Sequence, residues 1–301
     1  MTAPVGSVWK HPPVGFIGLG TMGEPMAANL CRKGVPVIAV AHRKRESLER
    51  LLALGAWEAT DPAEAATASE MVILMLPTSA TVEEVVLGER GLVYSLRAGS
   101  VIVDCGTSDP ARTRSLADRL RERSIALVDA PVTRGVAGAR DAKLSYFIGG
   151  DEADIERVQP LLAFMGDEFH VMGGVGAGHT AKLLNNLVSL ATVTLVAEAL
   201  ALGEAARLDG SKLVAALEAG SANSSILQSH GPRFLDRDNA PRFTIELARK
   251  DLALALSLAA EHAVPSFVGA VAHQIYSLAS AGGLGRLDVT AVRNALEARA
   301  M

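Results

Sequence analysis

Val14-Gly15-Phe16-Ile17-Gly18-Leu19-Gly20-Thr21-Met22-Gly23 is an apolar run that feeds a Gly-x-Gly-x-x-Gly turn and opens directly into a helical pattern. In that context each glycine has a job. Gly18 permits the tight turn, Gly20 lets backbone approach a pyrophosphate, and Gly23 lets the new helix lie close against its strand. The free N–H groups at the start of such a helix attract an anion, so Gly18, Leu19, Gly20, Thr21, Met22 and Gly23 are read as a dinucleotide-binding turn. Ala27, Ala28 and Leu30 carry the helical pattern on to Gly34, a C′ residue, and a second apolar run at 37–40 follows.

Working outward, short apolar runs alternate with helical segments as far as about residue 174, the pattern of a parallel sheet covered on both faces. Strands are expected at 14–17, 37–40, 71–76, 101–104 and 126–129, with later ones at 146–148 and 169–171. Asp61-Pro62-Ala63-Glu64 reads as a helix start with an N-cap, an N1 proline and an acidic N3 residue, and Ser108-Asp109-Pro110 begins another helix in the same manner. After Gly173-Gly174-Val175-Gly176-Ala177-Gly178 the strands stop and Ala- and Leu-rich helical patterns run to the end. The expected fold class is therefore α/β, an N-terminal Rossmann doubly wound parallel sheet over 1–175, with a C-terminal all-α domain over 176–301. Two long helices, 179–207 and 243–262, are too apolar to stand alone in water and are expected to pack together, across a dimer or within one chain.

Composition narrows the function class. A net charge of -4 over 301 residues argues against general attraction to nucleic acid or to an acidic membrane. The start, 1–13, lacks an apolar signal core, and the most apolar helix is interrupted by Asn185, Asn186, Ser189 and Glu198, so the expectation is a soluble cytoplasmic protein. Cys31 and Cys105 read as packing residues, and the seven histidines form no HExxH or Cys/His ligand motif, so no metal is expected.

Within the first long helix, Lys182 and Asn186 are four residues apart and Asn185 is three from Lys182, so an ammonium and an amide share one face of an otherwise apolar helix. Read alone, such a lysine is as readily a solvated charge as a catalytic one.

GFIGLGTMGEPMAANL at 15–30, DAPVTRGVAGARDAKLSYFIGG at 129–150, GAGHTAKLLNN at 176–186 and KDLALAL at 250–256 occur in order, and with them the chain resembles the β-hydroxyacid dehydrogenases over nearly all of 14–300. That family includes 3-hydroxyisobutyrate dehydrogenases and the tartronate semialdehyde and succinic semialdehyde (glyoxylate) reductases. The resemblance implies an NAD(P)-dependent oxidoreductase that interconverts a small 3-hydroxy acid and its aldehyde acid. It implies Lys182 as the general acid/base and Asn186 as the residue that holds substrate. It also sets Leu76, Pro77 and Thr107 against the cofactor and lets Lys250 close over it. An ammonium at that place can donate a proton to the developing alkoxide and stabilise its charge.

The cofactor choice rests on the second strand, where NAD-preferring sites place an acid for the ribose 2′-OH. No acid occurs between Glu24 and Glu46; the strand runs into His42-Arg43-Lys44-Arg45, whose cations can grip a 2′-phosphate, so NADP is expected rather than NAD. The substrate loop departs from the usual family pattern. Where Ser-Gly-Gly is common after Asp-Ala-Pro-Val, this chain has Thr133-Arg134-Gly135, which keeps a hydroxyl and the last glycine and adds a cation able to pair with a second anionic group. Expected partners are a small anionic substrate and further copies of the chain, as a homodimer or homotetramer. Two alternatives remain open: an imine reductase of the same fold, which the lysine at 182 argues against, and a non-catalytic cofactor-binding module. A 6-phosphogluconate dehydrogenase is disfavoured because its extended helical domain does not fit in 301 residues.

Overall fold

The computed structural model describes residues 9–40 and 45–297, and it divides into two compact units, the first ending at Lys182 and the second beginning at Leu183. The cofactor residues His42, Arg43 and Lys44 lie outside the described residues.

In the first unit the chain runs β1 (Val14–Ile17), α1 (Gly23–Arg32), β2 (Val37–Val40), α2 (Glu46–Leu52), β3 (Trp57–Ala59), α3 (Pro62–Thr67), β4 (Met71–Leu74), α4 (Ser79–Leu87) and β5 (Val101–Asp104). It continues through α5 (Pro110–Arg121), β6 (Ala126–Asp129), β7 (Val132–Thr133), α6 (Gly135–Arg140), β8 (Leu144–Gly149), α7 (Glu152–Leu162) and β9 (Gly166–Gly173). The strand order is β3-β2-β1-β4-β5-β6-β8-β7, with β9 paired to β8. From β3 to β6 every pair is parallel, whereas β8 runs antiparallel to β6 and β7. This is a Rossmann-like doubly wound sheet, as the alternation of runs and helices requires.

Strand residues alternate between two cores. Val14, Phe16, Val37, Ala39, Met71, Ile73, Val101 and Val103 face one, and Ile17, Ile38, Val40, Val72, Leu74 and Ile102 face the other. With both faces covered, each central strand is apolar throughout, which is why it reads in sequence as a continuous run. The helix starts follow the expected chemistry: Asp61 accepts from Glu64 N at 2.9 Å ahead of Pro62, and Asp109 accepts from Ala111 N at 2.8 Å ahead of Pro110. Both cysteines pack: Cys105 is buried and Cys31 partly so, and burial pushes both thiols up, Cys31 to about 11.

The second unit is helical. α8 (Ala177–Ala205) begins in the first unit and is followed by α9 (Gly210–Ala219), α10 (Ser225–Leu235), α11 (Ile245–Glu261), α12 (Phe267–Ala279) and α13 (Val292–Glu297). The two long helices expected from the sequence are α8 and α11, and they share a core: Leu190, Val193 and Ala197 of α8 cluster with Ile245, Ala248 and Leu252 of α11. α8 is long and apolar enough to cross a bilayer by length and composition, and 44% of its most apolar window is buried inside the protein. The first compact unit takes in the start of α8 as far as Lys182, where Gly176 N and His179 N are hydrogen-bonded to Asp129 at the end of β6.

Candidate active site

The turn after β1 has the geometry that its glycines predict. Gly18 has φ +105°, where a side chain is strained, and a Cβ there would run into the Met75 carbonyl. A Cβ on Gly23 would collide with the Gly18 carbonyl oxygen, so the close helix–strand approach needs glycine. At Gly20 a Cβ would meet nothing within 4 Å, which leaves backbone open to an approaching group. Leu19 packs on the core while Thr21 is exposed, and Met22 at the N-cap of α1 supplies no side-chain acceptor. The open first turn of α1 therefore fits a dinucleotide pyrophosphate. Glu24, in the same turn, is claimed elsewhere: Arg50 Nε donates to Oε1 at 2.5 Å and Ser47 Oγ to Oε2 at 2.8 Å, and the Arg50 hydrogen bond holds the carboxyl below its ordinary range.

Leu76, Pro77 and Thr107 follow the carboxyl ends of β4 and β5. The ladder aligns those ends with the end of β1, Ile17 opposite Leu74 and Leu74 opposite Asp104. The loops touch as well, since a Cβ on Gly106 would lie 2.7 Å from Leu76 O. Strand order reverses between β1 and β4, the switch point at which open α/β sheets bind ligands. Leu76, Pro77 and Thr107 thus lie at the same edge of the sheet as the Gly18–Gly23 turn, whereas Lys250 lies in the second unit. Arg45, next to the undescribed basic residues, is bound to Glu58 at 2.8 and 3.0 Å.

The start of α8 is seated on the same edge. Asp129 closes β6 and is fully buried; its Oδ1 accepts from Gly176 N and its Oδ2 from His179 N, both at 2.7 Å. Burial raises the Asp129 carboxyl above its usual range, partly offset by His179 and the two N–H groups. His179 is also fully buried, with Nδ1 2.9 Å from Thr113 Oγ1 on α5 and Nε2 3.6 Å from Asp104 Oδ2 at the end of β5. Asp104 in turn accepts from Gly106 N and Ser108 Oγ, both at 2.9 Å. Lys182 stands three residues beyond His179 on the same helix, and Asn186 one turn further.

In the second unit Asn186 is 6% exposed, and its Nδ2 donates to Asp251 Oδ2 at 2.6 Å while its Oδ1 accepts from Asn185 Nδ2 at 3.0 Å. Lys250 Nζ lies 2.8 Å from the other oxygen of Asp251, so Asn186 and Lys250 meet through one buried carboxylate. Asp104, Asp129, His179 and Asp251 were not singled out from the sequence. A signal was present for two of them, because 101–104 and 126–129 are apolar strands that each end on Asp.

Thr133 ends β7 and Gly135 begins α6. Between them Arg134 takes φ +74° and Gly135 φ +62°, a left-handed turn. The sequence reading gave the Arg134 guanidinium to the substrate, but here it is clamped to β9. Nη1 donates to Asp167 Oδ1 at 2.6 Å and to Lys143 O at 3.0 Å, and Nη2 pairs with Glu168. A cation already facing two carboxylates offers little net attraction to a further anion.

Sequence profiles place this site in context. The NAD binding domain of 6-phosphogluconate dehydrogenase matches residues 13–174, and the NAD-binding domain of NADP-dependent 3-hydroxyisobutyrate dehydrogenase matches 176–296. The chain belongs to the β-hydroxyacid dehydrogenase family. It is an NAD(P)-dependent oxidoreductase of that family. Among β-hydroxyacid dehydrogenases it is 37% identical to 2-hydroxy-3-oxopropionate reductase of Escherichia coli, over 94% of this chain and 97% of the relative. It is 36% identical to 3-sulfolactaldehyde reductase of the same organism, over 93% and 94% of the two chains. A solved 3-hydroxyisobutyrate dehydrogenase of Mycobacterium tuberculosis superposes with a TM-score of 0.85 at 29% identity, covering 95% of this chain and 99% of that one. An imine reductase of Streptomyces aurantiacus, at 22% identity and a TM-score of 0.62, shares the fold.

Proposed function

We propose that this β-hydroxyacid dehydrogenase interconverts a small 3-hydroxy acid and its aldehyde acid with NADP(H), Lys182 serving as the proton donor in reduction and acceptor in oxidation. The observation that carries the reading is the seating of Gly176 and His179 on Asp129, at the sheet edge that also bears the Gly18–Gly23 turn. NADPH bound at that turn supplies the hydride for the carbonyl carbon. The Lys182 ammonium donates its proton to the carbonyl oxygen as charge develops there, and Asn186 keeps a free amide hydrogen and a free carbonyl lone pair to hold that oxygen. Thr133, through its hydroxyl, and Gly135, through its N–H, bind the substrate carboxylate. Arg134 is assigned to the loop's own ion pairs, which weakens the case for a substrate with a second anionic group. Arg43 is assigned to the 2′-phosphate.

Lys182 favours this reading over imine reduction, whose enzymes generally lack a lysine there, and over a non-catalytic module. The proposed setting is the cytoplasm, and the proposed assembly is a homodimer or homotetramer. For the assembly the support is the apolar surface of the second unit: Leu184, Val188, Leu195 and Leu202 form one exposed stripe along α8, and Val264, Phe267, Val268 and Val271 form another at α12.

The test is paired oxidation of NADH and NADPH against glyoxylate, succinic semialdehyde, methylmalonate semialdehyde, tartronate semialdehyde and sulfolactaldehyde. Turnover of a carboxylate aldehyde with NADPH supports the reading; activity only with a ketone plus an amine replaces it with imine reduction.

A further inference from the structure

The buried polar cluster beneath the first turn of α8 is larger than a helix cap requires. A single acceptor would satisfy an N-terminal N–H group, yet Asp129 uses both oxygens, on Gly176 N and on His179 N. The fit around it is tight. A Cβ on Gly178 would lie 2.5 Å from Phe147 O and 2.6 Å from Asp129 O, and a Cβ on Gly149 would lie 2.7 Å from Asp129 Oδ1 and from Gly178 N. The helix start is thereby pressed onto the ends of β6 and β8 with no room to slide.

A second restraint acts from the side. Thr113 Oγ1 lies 2.9 Å from Asp109 O, its i−4 carbonyl, and donates there, so its lone pair accepts from His179 Nδ1–H. That bond ties α8 to α5. The opposite ring nitrogen points at Asp104, whose Oδ1 accepts from Gly106 N and whose Oδ2 accepts from Ser108 Oγ in the β5 loop that carries Thr107. One imidazole therefore ties the helix of the proposed proton donor to α5, with its other nitrogen 3.6 Å from Asp104 and outside hydrogen-bond reach. Lys182 follows His179 by three residues, a rise of about 4.5 Å along a helix, with no glycine or proline between them to absorb a displacement.

We propose that Asp129, His179 and Thr113 are positioning residues that fix the depth and rotation of the first turn of α8, and through it the place of the Lys182 ammonium. This rests on the reading of Lys182 as proton donor. A helix start free to shift by about 1 Å would carry the amine out of line with the carbonyl oxygen, and misplacement of that size costs on the order of a hundredfold in rate. Cofactor binding, which depends on the Gly18–Gly23 turn, is not expected to follow.

The experiment compares Asp129→Asn, Thr113→Val, Thr113→Ser and Lys182→Ala in the full-length protein. Hydrogen exchange is measured over 174–184, kcat and KM with an accepted aldehyde acid, and the Kd for NADPH by fluorescence. Expected for Asp129→Asn and Thr113→Val are faster exchange confined to 174–184 and a kcat lowered on the order of tenfold to a hundredfold, with KM and Kd within about twofold. Thr113→Ser, which keeps the hydroxyl, restores both readouts. Unchanged exchange in Thr113→Val overturns the anchor, and faster local exchange with kcat intact overturns its catalytic consequence. Equal losses in kcat and NADPH affinity reduce the cluster to general scaffolding and also overturn the proposal. If Lys182→Ala turns over like the wild type, it is the reading of Lys182 that fails, and the exchange data still decide whether the anchor exists. Should Asp129→Asn not fold, the Thr113 pair carries the test alone.

Discussion

Asp251 holds Asn186 with one carboxylate oxygen, at 2.6 Å, and Lys250 with the other, at 2.8 Å. Asp251 is 2% exposed, so replacing it by Ala leaves the buried Asn186 amide without its acceptor and removes the carboxylate beside Lys250. Breaking a buried pair on one side costs about 3–5 kcal/mol; with Lys250 partly solvated, about 2–3 kcal/mol is expected for Asp251→Ala. Urea unfolding monitored by circular dichroism measures it, and a loss below about 0.5 kcal/mol would mean that water replaces the carboxylate. Turnover should fall too, because Asn186 is then free to rotate away from the substrate oxygen.

Lys182→Ala removes the proposed proton donor without touching the turn that binds the cofactor. General acid catalysis contributes about 10²–10⁴-fold, so kcat should drop by that factor while NADPH still quenches fluorescence with nearly the wild-type Kd. Comparable loss of binding and turnover would assign the lysine to cofactor binding.

Arg43→Asp should invert cofactor choice. It removes a charge-assisted contact to the 2′-phosphate, worth about 1.5–3 kcal/mol, and supplies an acceptor for the ribose hydroxyl, so kcat/KM with NADPH should fall at least about tenfold while that with NADH rises. Parallel losses with both cofactors would refute the assignment.

Asp238 tests the acid limb of stability. Its carboxyl is held at about 2, against a usual 3.8, first by the Arg242 hydrogen bond and then by Ala240 N–H and Arg233. A carboxyl whose folded pKa lies below its unfolded one stabilises the fold above the unfolded value, and that contribution disappears as pH falls from 3.8 through 2. Asp238→Asn lacks it at every pH, so its Tm should lie below wild type near neutrality and converge with it toward about pH 2. A constant gap across that range would place the effect of the mutation elsewhere.

Leu195→Asp sets a charge in the exposed apolar stripe of α8. If that stripe is covered by a second copy, the charge is buried twice across a two-fold interface, and light scattering should show the mass falling to that of one chain. A wild-type protein already monomeric at micromolar concentration refutes the assembly.

What could be read in the sequence follows from the length of each signal. The strands β1, β2, β5 and β6 were legible to the residue because they are four-residue apolar runs with both faces buried, and α8 and α11 because their apolar pattern spans many turns. β3 and β7, three and two residues long, are too short to show any period and were missed. The glycine turn after β1 was legible because its glycines sit at fixed offsets from a strand. Asp129, His179 and Asp251 were not, because each acts on residues 47 to 65 positions away and only the folded chain brings the partners together. The ion pairs of Arg134 were hidden for the converse reason: its formal charge shows in the sequence, but the two carboxylates of β9 that answer it do not.

The left-handed turn at Arg134 bears on how this scaffold can change. At φ +74° an L side chain costs about 1 kcal/mol that a glycine would not. The clamp to Asp167 and Glu168 offsets that strain, so Arg134 and its two carboxylates form a self-contained exchange for a glycine. A change at 134 alone would leave the carboxylates of Asp167 and Glu168 unanswered, and a change at those two alone would leave the left-handed turn uncompensated.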